Sequence, residues 1–281
     1  MLSTVRGLAR SCHPGPTVAV TVLAALLALA FDASWTVALA VVVAVLSGQL
    51  VIGWSNDLID ADRDRADART DKPLAGRQIR GRAVVSALAV AAVVCVVASA
   101  ALGWLPGIIH GVLLVGSGVA YNLGLKATRW SFVPYAVAFG SLPAIVWLTV
   151  AGAADAGGVP GGVEGVPPAW MLLVGALLGV GAHLLNVLPD LADDERHGIR
   201  GLPHRLGRRG TQVLAPALLA SGTIITVLAS GAVLRWGNGL VLIAALTLAT
   251  VAARGSGKTP FRAAVALALL TVTTLVVSPW S

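Results

Sequence analysis

Six aspartates crowd into "NDLIDADRDRADARTDKPL", residues 56–74, directly behind the apolar run "TVALAVVVAVLSGQLVIGWS". A carboxylate at a bilayer centre costs about 2.5–3.5 kcal/mol on insertion scales, so a chain this apolar keeps such groups where they are used. Asn56, Asp57, Asp60 and Asp64 follow the pattern N-D-x-x-D-x-x-x-D. Positions i, i+3 and i+7 share one helix face, so these aspartates form a stripe. Asp190-x-x-x-Asp194, with Asp193 and Glu195 beside it, forms another, and His183 and Asn186 extend it inward at the same spacing. Two carboxylate stripes facing each other repel strongly unless a cation lies between them. Hard oxygen donors of this type suit Mg2+, which binds few carboxylates and fills its other positions with water and phosphate oxygens. Arg63, Arg69, Lys72, Lys126 and Arg200 add positive charge for a phosphate. The chemistry implied is a Mg2+-clamped diphosphate at the cytoplasmic mouth of an apolar cavity.

Two competing motifs fall on single positions. "DADRDRADARTD" spaces Asp60, Asp62, Asp64 and Asp71 like a calcium loop, but Arg65 stands where the sharp turn needs glycine. "AARGSGKT" at 252–259 imitates a phosphate loop, but Ala252 replaces its first glycine and it follows an apolar span, so it reads as a basic loop.

The elements that carry these residues are membrane helices. The 281 residues are 57% hydrophobic and 12% charged, half the charge of a soluble domain, with a mean hydropathy of +0.85. The net charge of +7 is assigned to anionic lipid headgroups and not to nucleic acid. Cys12 and Cys95 are too few for a disulfide framework or a metal knuckle. Nine apolar windows are long enough to cross the bilayer: about 15–31, 35–58, 83–102, 105–123, 131–151, 169–190, 212–234, 238–253 and 261–279. The first reads as an uncleaved span and not a signal peptide, because further spans follow. With the N-terminus inside, segments 1–14, 59–82, 124–130, 191–211 and 254–262 are cytoplasmic and hold 19 of the 20 Lys and Arg; Arg235 is the exception. The linker "AGAADAGGVPGGVEGVPP" carries no basic residue and lies outside. The expectation is an all-α, multi-pass cell-membrane protein. Residues 1–281 form one polytopic domain of nine helices around a central cavity, C-terminus outside. Its motif loops, about 59–82 and 191–211, open toward the cytoplasm.

The first motif, with "RTDKPL" at 69–74, resembles that of the UbiA-type intramembrane prenyltransferases. "DLADDERHGIRGLPHRLG" at 190–207 resembles their second motif, and "YNLGLK" at 121–126 their Tyr…Lys element between the fourth and fifth spans. The resemblance implies a polyprenyl diphosphate substrate, an allylic carbocation formed in a dry cavity, and capture by a small acceptor. It implies two Mg2+ ions bridging the diphosphate, one held by Asn56, Asp57, Asp60 and Asp64, the other by Asp190 and Asp194. Tyr121 and Lys126 would contact the diphosphate, and Arg69 and Lys72 would close over it. Arg200 lies in the Gly-Ile-Arg tail of the second motif. The 4-hydroxybenzoate branch carries Asp and Tyr where this chain has His183 and Asn186, so the acceptor is open.

A terpene cyclase of the same superfamily would keep the ionisation and need no acceptor. A transporter using carboxylates as a relay is disfavoured, because these groups stand at span ends beside basic loops. His183 is read either as a packed histidine or as an acceptor-side group, and Asn186 as a helix tie or the same. The eight Trp read as interface anchors, with Trp54 alternatively facing a cation through its ring. His13 and Pro14 read as an entry turn, and His204 as a surface group.

Overall fold

Apolar side chains without periodic polar breaks favour helices that bury all their backbone hydrogen bonds internally, the only open-chain solution in lipid. The structure, a computed structural model, describes residues 2–67, 69, 72–155, 163–196, 198–229, 236–255 and 259–277, and these contain no strand. Thr70 and Asp71 of the first motif's tail, positions 156–162 of the linker, Arg235 and Lys258 lie outside the described residues, as does the side chain of Asp193.

The helices are α1 (Leu2–Ser11), α2 (Pro14–Ala30), α3 (Trp35–Ala66), α4 (Gly81–Ala101), α5 (Trp104–Ile108), α6 (Ser117–Asn122), α7 (Val133–Asp155), α8 (Ala169–Val187), α9 (Leu191–Arg196), α10 (Leu202–Ala229), α11 (Trp236–Arg254) and α12 (Thr259–Val277). A π-helical stretch, Ile109–Gly116, joins α5 to α6, so Trp104–Asn122 runs as one span. Among the described residues eight helices are long and apolar enough to cross a membrane. The pair Thr4–Ser11 and Pro14–Ala30, bent by 70°, is a ninth candidate. Exposed valines along α4, such as Val90, Val93, Val96 and Val97, are what a lipid-facing surface requires.

The helix that carries the first motif is the longest. Ser34 caps it, its hydroxyl accepting from the Val37 amide at 3.4 Å. Its 32 residues span about 48 Å at 1.5 Å per residue, against a hydrocarbon core of about 30 Å. The acidic end therefore projects beyond the apolar layer as an uninterrupted continuation of the span.

The chain forms two compact units, Met1–Leu123 with Ile145–Glu164, and Gly124–Ala144 with Gly165–Ser281. Gly124 (φ 145°) and Gly165 (φ 64°) stand at the borders, in conformations that favour glycine. In the first unit, Cys12, Trp54, Ala61, Leu74, Ile79 and Val84 form a core under the motif end of α3. In the second, α8 and α10 pack through Leu184, Leu185, Ala215 and Leu219. Gly175 and Gly179 let α8 approach the α7 backbone at Phe139 and Tyr135, where any Cβ would collide with a carbonyl oxygen.

Candidate active site

In the first unit the stripe on α3 is a real face. Asp57, Asp60 and Asp64 are all buried, Asp57 to 1% exposure, whereas Asp62 on the opposite side is 96% exposed at its side chain and pairs with Arg65. Cations meet the buried carboxylates from two directions. Arg63, one turn along, reaches the Asp60 carboxylate at 3.0 Å. Lys72, from the loop after the helix, places its ammonium 3.5 Å from Asp57 and 3.8 Å from Asp64. That loop is tied back by the Arg69 amide donating to the Asp64 carbonyl at 3.0 Å and by Lys72 N–H to Arg69 O at 3.2 Å.

Asn56 donates to Asp60 at 3.0 Å and to the Asn122 side-chain oxygen at 3.2 Å. Asn122 was not a sequence candidate, although it sits inside "YNLGLK" beside Tyr121. An amide closing an apolar span was the available signal. His13 was read as part of an entry turn, but its ring lies 3.5 Å from the Lys72 ammonium and hydrogen-bonds Asn56. It precedes α2, and burial first, then the Lys72 charge, push its imidazole below the ordinary range. Trp54 is buried, and its indole N–H donates to the Leu8 carbonyl at 3.0 Å, so it anchors α1 to α3 and not the chain to an interface.

The donor set suits a hard divalent ion. Asp57 Oδ2 is buried and has no hydrogen-bond partner, an acceptor that a cation would satisfy. Among the described residues no three His, Cys, Asp or Glu side chains already converge on one point. Water and phosphate oxygens would therefore supply part of the coordination, as Mg2+ allows.

In the second unit the expected continuous stripe is interrupted. α8 ends at Val187, Leu188–Asp190 form a turn and α9 begins at Leu191. Pro189 explains the break, since it has no N–H to continue the ladder. Asp194 N–H still bonds Asp190 O at 2.9 Å, so these two aspartates keep their spacing, but His183 and Asn186 belong to a separate helix. His183 is buried; its Nε2 lies 3.0 Å from Ser131 Oγ, which also accepts from Leu202 N at 2.9 Å. Its ring packs on Tyr135 at 4.8 Å, and Asn186, exposed, hydrogen-bonds that tyrosine's hydroxyl.

After α9 the chain turns at Gly198 (φ 73°), and the Ile199 amide returns to Asp194 O at 3.0 Å. Arg200 is exposed. A Cβ on Gly201 would meet Ser131 Oγ at 2.7 Å and Lys126 O at 2.8 Å, so only glycine lets the motif's tail lie on the Lys126 turn. The surface reading of His204 is corrected: its side chain is 5% exposed and its Nε2 is 3.8 Å from Asp194, because Pro203 and Gly207 fold the start of α10 back toward α9. Tyr121 belongs to the first unit and Lys126 to the second.

Residues 17–270 match the UbiA prenyltransferase family. A curated relative, the bacteriochlorophyll synthase 33 kDa chain of Cereibacter sphaeroides, is 30% identical over 197 residues, 65% of this chain. The chain spans 60% of that relative's length. The fold is similar to that of a UbiA homologue from Aeropyrum pernix K1, at a TM-score of 0.70 and 18% identity, over 94% of this chain and 98% of that one. It is also similar to a UbiA homologue from Archaeoglobus fulgidus bound to DMAPP and Mg2+, at a TM-score of 0.67 and 16% identity, over 96% and 99% of the two chains.

Proposed function

We propose that this chain, which belongs to the UbiA prenyltransferase family, is a Mg2+-dependent enzyme that ionises a polyprenyl diphosphate and transfers the prenyl group to a small acceptor. The observation that carries the reading is the buried Asp57–Asp60–Asp64 face with an unsatisfied carboxylate oxygen and the Lys72 ammonium beside it. The DMAPP and Mg2+ held by the Archaeoglobus fulgidus homologue support the substrate class.

Asn56, Asp57, Asp60 and Asp64 would hold one Mg2+, and Asp190 and Asp194 a second. Bound there, Mg2+ would supply Lewis-acid neutralisation of charge on the leaving diphosphate. Lys72 and Arg69 bind diphosphate oxygens from the loop after α3, and Tyr121, Lys126 and Arg200 add further donors. The allylic C–O bond breaks with its electron pair leaving on the diphosphate, the acceptor's nucleophilic atom closes on the same carbon, and any proton on that atom passes to the released diphosphate or to water. Apolar helix faces keep water from that carbon. His183 and Asn186 are the residues proposed for the acceptor side. The basic loops support an active site that opens toward the cytoplasm of a cell membrane.

The test is product analysis by mass spectrometry with geranyl, farnesyl and geranylgeranyl diphosphates, with and without candidate acceptors, in Mg2+ and in EDTA. Expected are diphosphate release in Mg2+ only and a prenylated acceptor. Cyclic hydrocarbon from the diphosphate alone would make the chain a cyclase. Full activity in EDTA would remove the metal from the reading.

A further inference from the structure

His13 stands where sequence reasoning saw only a turn. Its backbone is left-handed (φ 55°), a conformation uncommon outside glycine but one that histidine tolerates better than most residues, and it is held there by its surroundings. Four contacts hold the chain on either side of it. Gly53 admits the Cys12 carbonyl directly against α3, where any side chain would collide. Thr17 Oγ1 donates to the same carbonyl at 2.7 Å. Trp54 holds the Leu8 carbonyl at 3.0 Å, and Gly7 lies flat on Ile79, whose Cβ would be 3.2 Å from a Cβ there. Together they break the chain between α1 and α2 and turn the imidazole toward the first motif.

What the ring meets there is specific. An ammonium has donors only, so His13 Nε2 accepts from Lys72 at 3.5 Å, leaving the other ring nitrogen to carry the proton. The two hydrogens of the Asn56 amide are engaged by Asp60 and Asn122, so its carbonyl oxygen is the atom left to face the imidazole. The ring therefore joins a residue of the acidic stripe to the lysine of the loop. A lysine is a point charge on a flexible four-carbon stem, and two carboxylates attract it without direction. A neutral ring nitrogen adds one directional acceptor.

We infer that His13 is a positioning residue for Lys72: it fixes where the ammonium stands and so sets the affinity for a prenyl diphosphate. The inference rests on the proposed function, and it makes the turn between α1 and α2, outside the recognised motifs, a part of the diphosphate site.

The test uses the full-length protein in detergent and the non-ionising thiolo analogues of geranyl, farnesyl and geranylgeranyl diphosphate with Mg2+, with binding read by calorimetry. Glycine accepts the left-handed backbone, so His13→Gly removes the ring without adding strain. It should weaken binding about tenfold, the scale of one charge-assisted hydrogen bond, with an unchanged melting temperature. His13→Gln, which restores an acceptor, should recover most of that loss. In a Lys72→Ala background His13→Gly should change nothing further. Equal binding by His13→Gly and wild type, no recovery with glutamine, or a full further loss in the Lys72→Ala background would overturn the inference. If wild type binds none of the analogues in Mg2+, the prenyl diphosphate reading itself fails, and this inference falls with it.

Discussion

Asn122 holds Asn56 in place across two helices: its side-chain oxygen accepts from the Asn56 amide at 3.2 Å. Its own nitrogen donates to the Ile52 carbonyl at 2.9 Å and reaches the Ser55 hydroxyl at 3.1 Å, so the amide cannot flip without loss. Asn122→Leu keeps the volume and removes all these bonds. The Mg2+ concentration for half-maximal diphosphate release should rise about 10- to 100-fold, the range for a lost partner behind a metal ligand. A Mg2+ titration of the purified variant, with circular dichroism to show retained helix, checks it. An unchanged titration would show that Asn56 needs no such support.

The two sides of α3 should behave oppositely. Asp60→Asn keeps shape and removes a buried charge, so turnover should fall about 100-fold or more, as for about 3 kcal/mol of lost charge stabilisation. Asp62→Asn, on the exposed side, should stay within about threefold, as surface substitutions do. Diphosphate release rates decide it, and equal losses at both positions would mean that the wrong face of the helix has been given the chemistry.

The acceptor side makes a prediction about product balance. His183→Ala and Asn186→Ala should lower the yield of prenylated acceptor while leaving diphosphate release partly intact. Water then captures the cation, and prenyl alcohol accumulates. Quantifying alcohol against diphosphate tests this; parallel loss of both products would place these residues in ionisation.

Orientation can be read from the ends of α8. Its 19 residues span about 28 Å, one membrane thickness. In a chain with Cys12 and Cys95 replaced, single cysteines at Val166 and Arg205 should react with an impermeant thiol reagent from opposite faces of sealed vesicles. Arg205→Cys should label from the cytoplasmic face. Labelling of both from one face would mean that α8 does not cross the membrane between them, and Arg205→Cys labelling from the outer face would invert the assignment made from the positive charges.

The helices were legible because their apolar runs are long and their ends are marked. The sequence window 35–58 and the observed Trp35–Ala66 differ only where the helix continues into the charged motif, which a hydropathy reading cuts off. The burial of Asp57, Asp60 and Asp64 against the exposure of Asp62 followed from helical spacing alone. His13, Asn122 and Ser131 were not legible, because each acts through a partner far along the chain: 59 residues separate His13 from Lys72, 66 separate Asn56 from Asn122, and 52 separate Ser131 from His183. The turn at Leu188–Asp190 was missed although Pro189 announces it, because the i, i+4 spacing of Asp190 and Asp194 survives the break. The π-helical turn around His110 left no mark in residue pattern, since its hydrogen bonds are made by backbone.

The unbroken run of α3 from Trp35 to Ala66 makes the acidic motif a passenger on a rigid shaft. Its angle is then dictated by residues far behind it. One residue inserted into the apolar stretch would rotate every carboxylate by about 100° and advance it by about 1.5 Å. Four inserted residues would nearly restore the angle but advance the motif by about 6 Å. The loop carrying Lys72, tied to the end of α3, would travel with it, but His13 and Asn122, on other elements, would not follow, so this helix tolerates substitution in its apolar stretch far better than a change of length.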